Sequence, residues 1–340
     1  MPSSLPKSYK AAVFESKGSP IVLKEVDLKQ PGPKQVLVKV LACGVCHSDS
    51  FVQNGFFGEI LPRVPGHEYI GTVVAVGEGV TKVSNGDRVG GAWHGGHDST
   101  CRQCARALFQ ICDNKEINGV SRDGGYAEYA ILREEAAVRI PAEADPAETA
   151  PLLCAGVTVF NGLRKLHVEQ GNLVAVQGVG GLGHLAIQYA NKMGYRTVAI
   201  SSGDSKRDFA HKLGAHAYID TSKDDAVTKL KEMGGAAAII ATAPNPKAIS
   251  PLVSGLQPAG KLLVLAPVGP VEFDTGVLVT LGASVHGWPS GHATDTEEAI
   301  QFSQDHGVKC MIEKFPLDDA QKALDHCTSG KVRFRCVLVV

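Results

Sequence analysis

Three residues in the first half of the chain carry side chains that bind transition metals. Cys46 begins a Cys-His-Ser-Asp run, His67 lies in a Gly-His-Glu run, and Cys154 follows two leucines. Two thiolates and one imidazole suit zinc, and three protein ligands leave a fourth coordination position for water or substrate. Taken alone, each such residue is more often a buried cysteine or a surface histidine. Together they raise the hypothesis of a catalytic zinc ion.

A second group of cysteines, Cys101, Cys104 and Cys112, is spaced at short intervals. The chain has nine cysteines, and an odd number in 340 residues makes a poor disulfide framework. In a reducing compartment, clustered thiols bind metal more often than they form bridges. The group therefore indicates either a second metal site or an empty loop with free thiols.

A glycine-rich run follows a predicted strand at 172–177 and opens a predicted helix at 182–193. The run consists of Gly178, Val179, Gly180, Gly181, Leu182 and Gly183. In this G-x-G-x-x-G pattern the glycines turn the chain, admit a pyrophosphate and let the helix pack closely on the strand. The alternative is a glycine turn in an unrelated strand–helix unit. The context favours a dinucleotide site whose phosphates meet the helix N-terminus.

The tip of the next predicted strand indicates which dinucleotide binds. NAD sites usually place an acidic residue there for the ribose hydroxyls, but this chain has Ser201 and Ser202, followed by Lys206 and Arg207. Hydroxyls and two cations suit a 2′-phosphate, so we predict NADP(H) in preference to NAD(H). In one alternative, Ser202 and Asp204 cap the next helix, and Lys206 and Arg207 are solvated charges on its first turn. In another, Asp204 turns toward a ribose.

The elements that must position these residues change in kind along the chain. Up to about residue 150, short β-branched runs alternate with Gly and Pro, a pattern typical of β structure. From about residue 170, strands and helices alternate, which indicates βαβ units and a parallel sheet. The predicted strands are 21–23, 35–41, 71–76, 87–89, 172–177, 195–200, 216–219, 236–241, 261–266 and 333–340. The predicted helices are 182–193, 204–213, 224–233, 246–256 and 294–304.

Composition excludes several classes of protein. Lys plus Arg number 34 and Asp plus Glu 35, so the net charge of −1 argues against a nucleic-acid partner. An apolar fraction of 44% and a charged fraction of 20% are ordinary for a globular enzyme. No apolar stretch reaches the roughly 18 residues that a membrane span needs, and no apolar signal-peptide run precedes Phe14. We therefore expect a cytoplasmic protein without a membrane partner.

Taken together, these residues resemble the zinc-dependent medium-chain alcohol dehydrogenases, in their microbial or cinnamyl-alcohol-like branch. The resemblance covers nearly the whole chain and runs through 44–49, 66–68, 86–89, 124–128, 154–158 and 178–183. It implies an α/β protein with a Rossmann doubly wound parallel sheet and a GroES-like β-rich catalytic domain. The catalytic domain is expected at 1–152 and 288–340, the Rossmann domain at 153–287, and the active site in the cleft between them.

The resemblance implies ligands for two zinc ions. The catalytic ion is expected on Cys46, His67 and Cys154. Cys43 is offset from the motif and is expected to be a packed thiol. The family's structural zinc uses four cysteines, and this chain has Asp98 in the first position and Ala107 where glycine is common. Carboxylate oxygen can bind zinc, with His94 and His97 as reserve ligands. The second site is therefore expected on Asp98, Cys101, Cys104 and Cys112.

The resemblance also implies roles for residues near the metal. Ser48 is expected to accept the alcohol proton first, and Asp49 to orient the ligand imidazole. Glu68 is expected near the metal and His47 near the pyrophosphate. Phe51 stands where many members carry a histidine. Because a phenyl ring carries no proton, the path beyond the serine stays open between the ribose with His47 and water.

The remaining site residues follow from the same resemblance. Thr158 is expected beside the nicotinamide, and Arg335 is either a pyrophosphate contact or a surface charge on the last strand. The other expected cofactor contacts are Gly178, Gly180, Gly181, Leu182, Gly183, Ser201, Ser202, Lys206, Arg207 and Val268. Aromatic side chains are expected to line a pocket for primary alcohols and aldehydes with apolar tails. They are Phe56, Phe57, Trp93 and Trp288.

The sequence thus predicts a zinc-dependent alcohol dehydrogenase or aldehyde reductase that transfers hydride between a primary alcohol, aromatic or aliphatic, and NADP. By resemblance, the assembly is a homotetramer. One alternative is an NAD-dependent alcohol or polyol dehydrogenase, but Phe57 and Trp93 disfavour a polyol, which needs polar groups near the zinc. The other is a non-catalytic zinc- and nucleotide-binding protein, which has no need of Ser48 beside an open metal site.

Overall fold

The computed structural model describes residues 5–340, so the first four residues of the predicted 1–152 segment lie outside the description. The chain divides into two compact units. The first contains the chain through Cys154 with Gly291–Gln301 and Cys310–Val340, and the second contains Ala155–Ser290 and Phe302–Lys309.

The segment Phe302–Lys309 departs from the predicted boundaries, which placed it in the first domain; in the structure it belongs to the second unit. The reason is packing, because the ring of Phe302 lies 5.2 Å from that of Phe160 and 5.9 Å from that of Tyr189. The hydroxyl of Tyr189 also lies 2.7 Å from Ser303 Oγ.

The first unit begins with nine strands and two helices in the described chain before Cys154. The strands are β1 (Ser8–Phe14), β2 (Ile21–Asp27), β3 (Gln35–Val45), β4 (Tyr69–Val76), β5 (Arg88–Gly91), β6 (His94–Gly96), β7 (Glu116–Ile117), β8 (Tyr129–Arg133) and β9 (Ala137–Arg139). The helices are α1 (His47–Gln53) and α2 (Pro146–Thr149). Short 3-10 turns lie at Cys104–Arg106, Phe109–Ile111, Glu134–Ala136 and Ala150–Leu153.

The second unit alternates helices and strands up to Ser290, and four further elements follow along the chain. Its helices are α3 (Ala155–Lys165), α4 (Gly183–Lys192), α5 (Arg207–Lys212), α6 (Ala226–Glu232), α7 (Pro246–Ile249) and α8 (Thr275–Leu281). Its strands are β10 (Leu173–Gln177), β11 (Arg196–Ser201), β12 (Ala217–Asp220), β13 (Ala236–Ala241), β14 (Leu256–Val264) and β15 (Ser284–Gly287). The later elements are α9 (Ala293–His306), β16 (Ile312–Pro316), α10 (Ala320–Thr328) and β17 (Arg335–Val339).

A seven-stranded sheet organises the first unit, in the order β16-β17-β3-β4-β5-β9, with β8 paired to β3. Strand β3 is long and mostly buried, as its apolar sequence requires. The antiparallel pairing of β17 with β3 sets Cys336 opposite Val45, so Arg335 is brought close to the end of β3. The sheet therefore places the last strand of the chain beside the Cys46 turn.

The second unit is built on a six-stranded parallel sheet in the order β12-β11-β10-β13-β14-β15. This is the order of a doubly wound nucleotide-binding sheet. Strands β10 and β13 are buried along their whole length, which explains their unbroken apolar runs. The predicted α/β class with a parallel sheet is confirmed.

Two predicted helices are shorter than expected. The predicted helix 204–213 divides into a 3-10 turn, Asp204–Lys206, and α5. The predicted helix 246–256 stops at Ile249 and continues as a 3-10 turn, Ser250–Gly255. Pro251 explains the second break, because it offers no N–H and its ring clashes with the preceding turn. Within residues 5–340, none of the helices combines the length and apolar character needed to cross a bilayer.

Candidate active site

The turn between β3 and α1 positions the first candidate metal ligand. Cys46 has extended backbone angles, and its N–H donates to Asp49 Oδ2 at 2.8 Å. The N–H of Asp49 donates in return to the Cys46 carbonyl at 3.0 Å. This reciprocal closure fixes the thiol at the helix start and places Ser48 on the same turn.

Four ligand-type side chains of the first unit converge on one point. One ligand atom from each of Cys46, His67, Glu68 and Cys154 lies within 4.8 Å of the others. Two glycines permit this approach. A Cβ on Gly44 would lie 1.9 Å from Glu68 Oε2, and a Cβ on Gly90 would lie 2.3 Å from the side chain of Leu153. A Cβ at either position would have to displace one of these side chains, so the two glycines allow the neighbours of His67 and Cys154 to pack closely.

The pKa values of the two cysteine thiols in this cluster are shifted in opposite directions. A hydrogen bond from Cys154 holds the pKa of the Cys46 thiol well below its usual range, while the same contact and burial raise the pKa of Cys154. Two partly buried thiols and a buried imidazole are a donor set that zinc prefers, and bound metal replaces the thiol protons. The residues present therefore fit a zinc ion.

His67 is oriented by a buried carboxylate, which is itself held by the hydroxyl of a tyrosine. Its Nδ1 lies 3.2 Å from Asp49 Oδ1, and the hydroxyl of Tyr126 donates to Asp49 Oδ2 at 2.9 Å. Burial lowers the pKa of His67, but the charges and hydrogen bonds of Asp49 and Cys46 together outweigh burial and raise the pKa to about 10. Because Nδ1 faces the carboxylate, Nε2 is left to face the cluster. Ser48 Oγ lies 3.4 Å from this Nε2 and 3.1 Å from Cys46 Sγ.

Tyr126 is a functional residue that sequence reasoning missed. Its ring also explains Gly66, because a Cβ there would lie 2.4 Å from Tyr126 Cδ1. The Gly-Gly-Tyr run was visible in the sequence, but nothing in its spacing indicated that the phenol reaches Asp49. The structure assigns it the positioning of the carboxylate that orients His67.

Replacing Tyr126 by phenylalanine should weaken zinc retention by about tenfold to a hundredfold, because the carboxylate behind His67 loses one of its donors. The measurement is chelator competition on the purified protein. Tyr129→Phe is the matched control, since Tyr129 lies on β8 and its ring packs against Tyr9 of β1 and not against the carboxylate. Equal zinc retention by both variants would contradict the positioning role.

Glu68, the fourth member of the cluster, forms a buried ion pair with Arg335. Arg335 Nη2 lies 3.1 Å from Glu68 Oε1, and both side chains are almost fully buried. Burial raises the pKa of Glu68 to about 8, although Arg335 lowers it. The alternative of a surface charge for Arg335 is therefore wrong, because the pairing of β17 with β3 carries the guanidinium inward. Its contact with pyrophosphate stays a prediction.

Aromatic rings line the first unit from α1 to the candidate ligand. The ring of Trp93 meets that of His67 at 4.8 Å, and Phe57 lies 6.0 Å from Trp93. Phe56 lies 5.3 Å from Phe57 but is 67% exposed. Phe51 packs against Phe56 and against the ring of His47, 5.5 Å away. The structure thus sets Trp93 against the candidate ligand His67, places Phe57 behind Trp93, and leaves Phe56 at the outer end.

The second predicted metal site is also assembled in the first unit. Cys101 Sγ lies 3.6 Å from Cys104 Sγ and 3.8 Å from Cys112 Sγ, and Cys104 Sγ lies 3.5 Å from Asp98 Oδ1. Thiolates about 2.3 Å from a tetrahedral zinc are about 3.8 Å apart, so the cluster fits that ion. The N–H of Thr100 lowers the pKa of the Asp98 carboxyl, which is therefore anionic.

The neighbours of this cluster differ from the sequence expectation in one respect. The reserve ligands His94 and His97 contact each other instead, with Nε2 and Nδ1 3.1 Å apart. Ala107 has a φ of +56°, a left-handed conformation that favours glycine. Asn114 completes the hydrogen bonding of Asp98 by donating to Oδ2 at 2.7 Å.

Replacing Cys104 by serine should lower Tm by about 5 °C or more, because a structural metal contributes its binding energy to folding. We expect the zinc content to fall by one ion per chain. Cys310→Ser, which alters a buried thiol outside both clusters, controls for the loss of a core sulfur. A Cys104 variant with unchanged zinc content and Tm would mean that the lobe holds no metal.

The glycine-rich run lies in the second unit, between β10 and α4. A Cβ on Gly183 would lie 1.8 Å from the Gly178 carbonyl, so helix and loop touch only because glycine is present. A Cβ on Gly180 would meet no atom within 4 Å, which leaves room for a ligand at this turn. The loop, with Gly181 and Leu182 between these glycines, fits a pyrophosphate at the start of α4.

The other predicted cofactor residues are spread over the second unit. Thr158 is buried on α3, and Val268 is partly buried against the core after β14. Trp288 is partly buried with Lys165 Nζ 5.8 Å from its ring. Ser202 and Lys206 are exposed. The proposed roles of these residues stay predictions.

The alternative in which Ser202 and Asp204 cap the next helix is wrong. The residues at the N-cap positions are Gly203 and Lys206, and neither makes a side-chain capping bond. Of the two cations, Lys206 is exposed, as that alternative expected, whereas Arg207 is partly exposed and paired, with its Nη2 2.8 Å from Asp204 Oδ1.

Comparison with known proteins defines the family. A family model described as the alcohol dehydrogenase GroES-like domain matches residues 32–142, and one described as zinc-binding dehydrogenase matches residues 181–305. The chain is 56% identical over 340 residues to the alcohol dehydrogenase patD of Penicillium expansum, covering 100% of each chain. It is 36% identical over 336 residues to an alcohol dehydrogenase of Geobacillus stearothermophilus, covering 97% of this chain and 99% of that one.

Solved structures with a similar fold are also dehydrogenases and reductases. A cinnamyl alcohol dehydrogenase of Sorghum bicolor has a TM-score of 0.88 at 30% identity, with 98% of each chain covered. An acetophenone reductase of Geotrichum candidum in complex with NAD has a TM-score of 0.87 at 26% identity, covering 99% of each chain. A zinc-binding dehydrogenase of Sinorhizobium meliloti bound to NADP has a TM-score of 0.87 at 25% identity, covering 98% of this chain and 100% of that one. The chain therefore belongs to the zinc-type medium-chain alcohol dehydrogenases.

Proposed function

We propose that this alcohol dehydrogenase is zinc dependent and interconverts primary alcohols and aldehydes with NADP(H). The observation that carries the proposal is the convergence of Cys46, His67 and Cys154, whose ligand atoms lie within 4.8 Å of one another beside the Ser48 hydroxyl. Zinc bound there would polarise the substrate oxygen as a Lewis acid, and the nicotinamide would exchange hydride with the substrate carbon.

The chain's own residues handle the proton. Ser48 Oγ both donates and accepts hydrogen bonds, so it can take the alcohol proton and pass it on. Its position 3.1 Å from Cys46 Sγ keeps it at the substrate's oxygen end. Phe51 offers no acceptor, and the exposed His47 stands on the same helix. The proton therefore leaves the serine through His47 or through water.

The aromatic side chains support an apolar substrate. Trp93 packs against the imidazole of His67, and Phe57 packs against Trp93, so both rings present carbon surface near the candidate metal ligand. Apolar walls with few polar groups favour aromatic or aliphatic alcohols and aldehydes over polyols. We therefore propose primary alcohols and aldehydes with apolar tails, aromatic or aliphatic, as the substrates.

The preference for NADP(H) is supported by the tip of β11. Ser201 and Ser202 stand where an NAD site carries an acid, and Arg207 presents a guanidinium at the start of α5. Asp204, the nearby carboxylate, is already paired with Arg207. A free carboxylate at this position would instead favour the hydroxyls of an NAD ribose.

We also propose a homo-oligomer, with four chains as the family resemblance implies. Strand β15 is an edge of the parallel sheet, and Val285 on it is exposed. Helix α8 is apolar in sequence, and its Val279 is 82% exposed. An open strand edge beside exposed apolar side chains is suited to pairing with a second copy.

The direct test compares kcat/KM for NADPH and NADH with one simple aromatic aldehyde in one buffer. We expect a clear preference for NADPH. A clear preference for NADH would contradict the cofactor assignment and mean that Asp204 or a backbone group binds the ribose. If neither NADPH nor NADH supported the reduction of any aromatic or aliphatic aldehyde, the proposed reaction would be contradicted.

A further inference from the structure

A cluster of ions at the tip of β11 includes a cation that the sequence did not single out. Asp204 Oδ1 lies 2.9 Å from Arg207 Nε and 2.8 Å from its Nη2. Asp204 Oδ2 contacts the ammonium of Lys223. The arginine opens α5, whereas the lysine follows β12. The parallel pairing that sets Ser201 beside Asp220 brings these two cations together.

The backbone around this cluster is fixed by a second, buried carboxylate. Asp220 is fully buried, and its Oδ1 accepts hydrogen bonds from the Gly203 N–H at 2.6 Å and the Ser222 hydroxyl at 2.7 Å. The Tyr218 hydroxyl donates to the Gly203 carbonyl at 2.7 Å, and the Arg207 guanidinium lies over the Tyr218 ring at 4.8 Å. Two loops are thereby tied into one frame that holds the cations in place.

The two carboxylates differ in how easily they can move. Asp220 is buried and accepts bonds from the backbone, so it is part of the frame. The Asp204 side chain is 50% exposed, and it forms ion pairs with Arg207 and Lys223. It can turn into water without leaving a buried group unpaired. Exposed ion pairs contribute little to folding stability, so the cluster is poorly explained as a stabilising feature.

The place of the cluster in the fold indicates its ligand. In doubly wound sheets the adenosine ribose lies at the carboxyl end of the second strand, here β11. A carboxylate that selects NAD there faces the ribose hydroxyls, but both oxygens of Asp204 face cations. A phosphate monoester carries a charge of about −1.5 to −2 near pH 7 and three acceptor oxygens. It would neutralise two cations better than a single carboxylate does.

Resting on the NADP(H) assignment above, we propose that Arg207 and Lys223 bind the 2′-phosphate of NADP(H). Asp204 acts as the internal substitute for that phosphate, holding both cations until the phosphate displaces it. Lys223 is therefore a specificity-determining residue, and Asp204 both orders the site and competes with the cofactor. The nicotinamide end of the cofactor plays no part in this selection.

The test is the dissociation constant of NADPH and of NADH, measured by calorimetric titration of the full-length protein. Lys223→Gln should weaken NADPH binding by about tenfold, the usual effect of one charge-assisted hydrogen bond, and leave NADH unchanged. Asp204→Asn should tighten NADPH binding severalfold, because the competing anion is gone. Lys229→Gln, which removes an exposed lysine paired with Glu232, is the matched control and should change neither constant.

Three results would contradict parts of this account. Unchanged NADPH binding by Lys223→Gln would overturn the role of the lysine. A tenfold loss of NADH binding by Asp204→Asn would assign the carboxylate to the ribose hydroxyls and overturn its role as a phosphate substitute. Tighter binding of NADH than NADPH by the unaltered protein would contradict the proposed cofactor preference, while a selective NADPH loss in Lys223→Gln would still support the phosphate contact.

Discussion

Replacing Cys46 by serine should lower kcat/KM for aldehyde reduction by about a thousandfold or more while the protein stays folded. A serine hydroxyl is not ionised near neutral pH and is a poor ligand, so the variant loses one of three zinc contacts. Lewis-acid catalysis is worth several kcal/mol, and each 1.36 kcal/mol corresponds to about tenfold in rate. Steady-state kinetics with a parallel zinc determination measures both consequences.

Cys43→Ser is the matched control for this variant. Cys43 lies on β3 three positions earlier, is fully buried, and points its thiol at the Gly44 carbonyl, 3.6 Å away. Burial raises the pKa of this thiol well above its usual range, so it is a neutral packing group. We expect a lower Tm but turnover per folded molecule close to that of the unaltered protein. Unchanged turnover in the Cys46 variant, or equal losses in both, would refute the ligand assignment.

Replacing Ser48 by alanine should lower kcat by about a hundredfold or more, because positioned proton transfer contributes on the order of 10²–10⁴ in rate. The hydroxyl is the proton-carrying group that lies within 3.4 Å of both Cys46 Sγ and His67 Nε2. Zinc content and cofactor binding should not change, since the serine is not a metal ligand. The effect should be visible as a loss of kcat in single-turnover and steady-state measurements.

Ser50→Ala provides the control on the same helix. The Ser50 hydroxyl donates to the His47 carbonyl at 2.7 Å and does not reach the ligand cluster. Its removal should leave kcat within about twofold. If Ser48→Ala behaved like Ser50→Ala, the proton would leave the substrate by another route and the role of Ser48 would be wrong.

The sequence predicted the fold through patterns that are local. The glycine-rich run and the alternating strands and helices predicted the parallel sheet, because buried parallel strands need unbroken apolar runs such as 236–241. It failed at the ends and interruptions of helices, as at Pro251 and at Lys206, where turn geometry competes with helix periodicity. It also assigned Phe302 to the first domain, because a side chain's packing partners cannot be read from periodicity.

The candidate site divides in the same way. Cys46, His67 and Cys154 could be predicted because their residue types carry metal chemistry wherever the fold puts them. Tyr126 and Lys223 could not, because a phenol or an ammonium gains its role only from a partner on a distant element. Their partners, Asp49 and Asp204, meet them through sheet register and loop closure.

The most direct test of the central claim is turnover as a function of bound zinc. The protein is stripped of metal with a chelator, cofactor binding is checked, and zinc is returned in steps while aldehyde reduction is measured. We predict that turnover is lost on stripping and returns with the ion that the Cys46 cluster binds, whereas the Cys46→Ser variant recovers none. Full turnover in the metal-free protein would contradict the account.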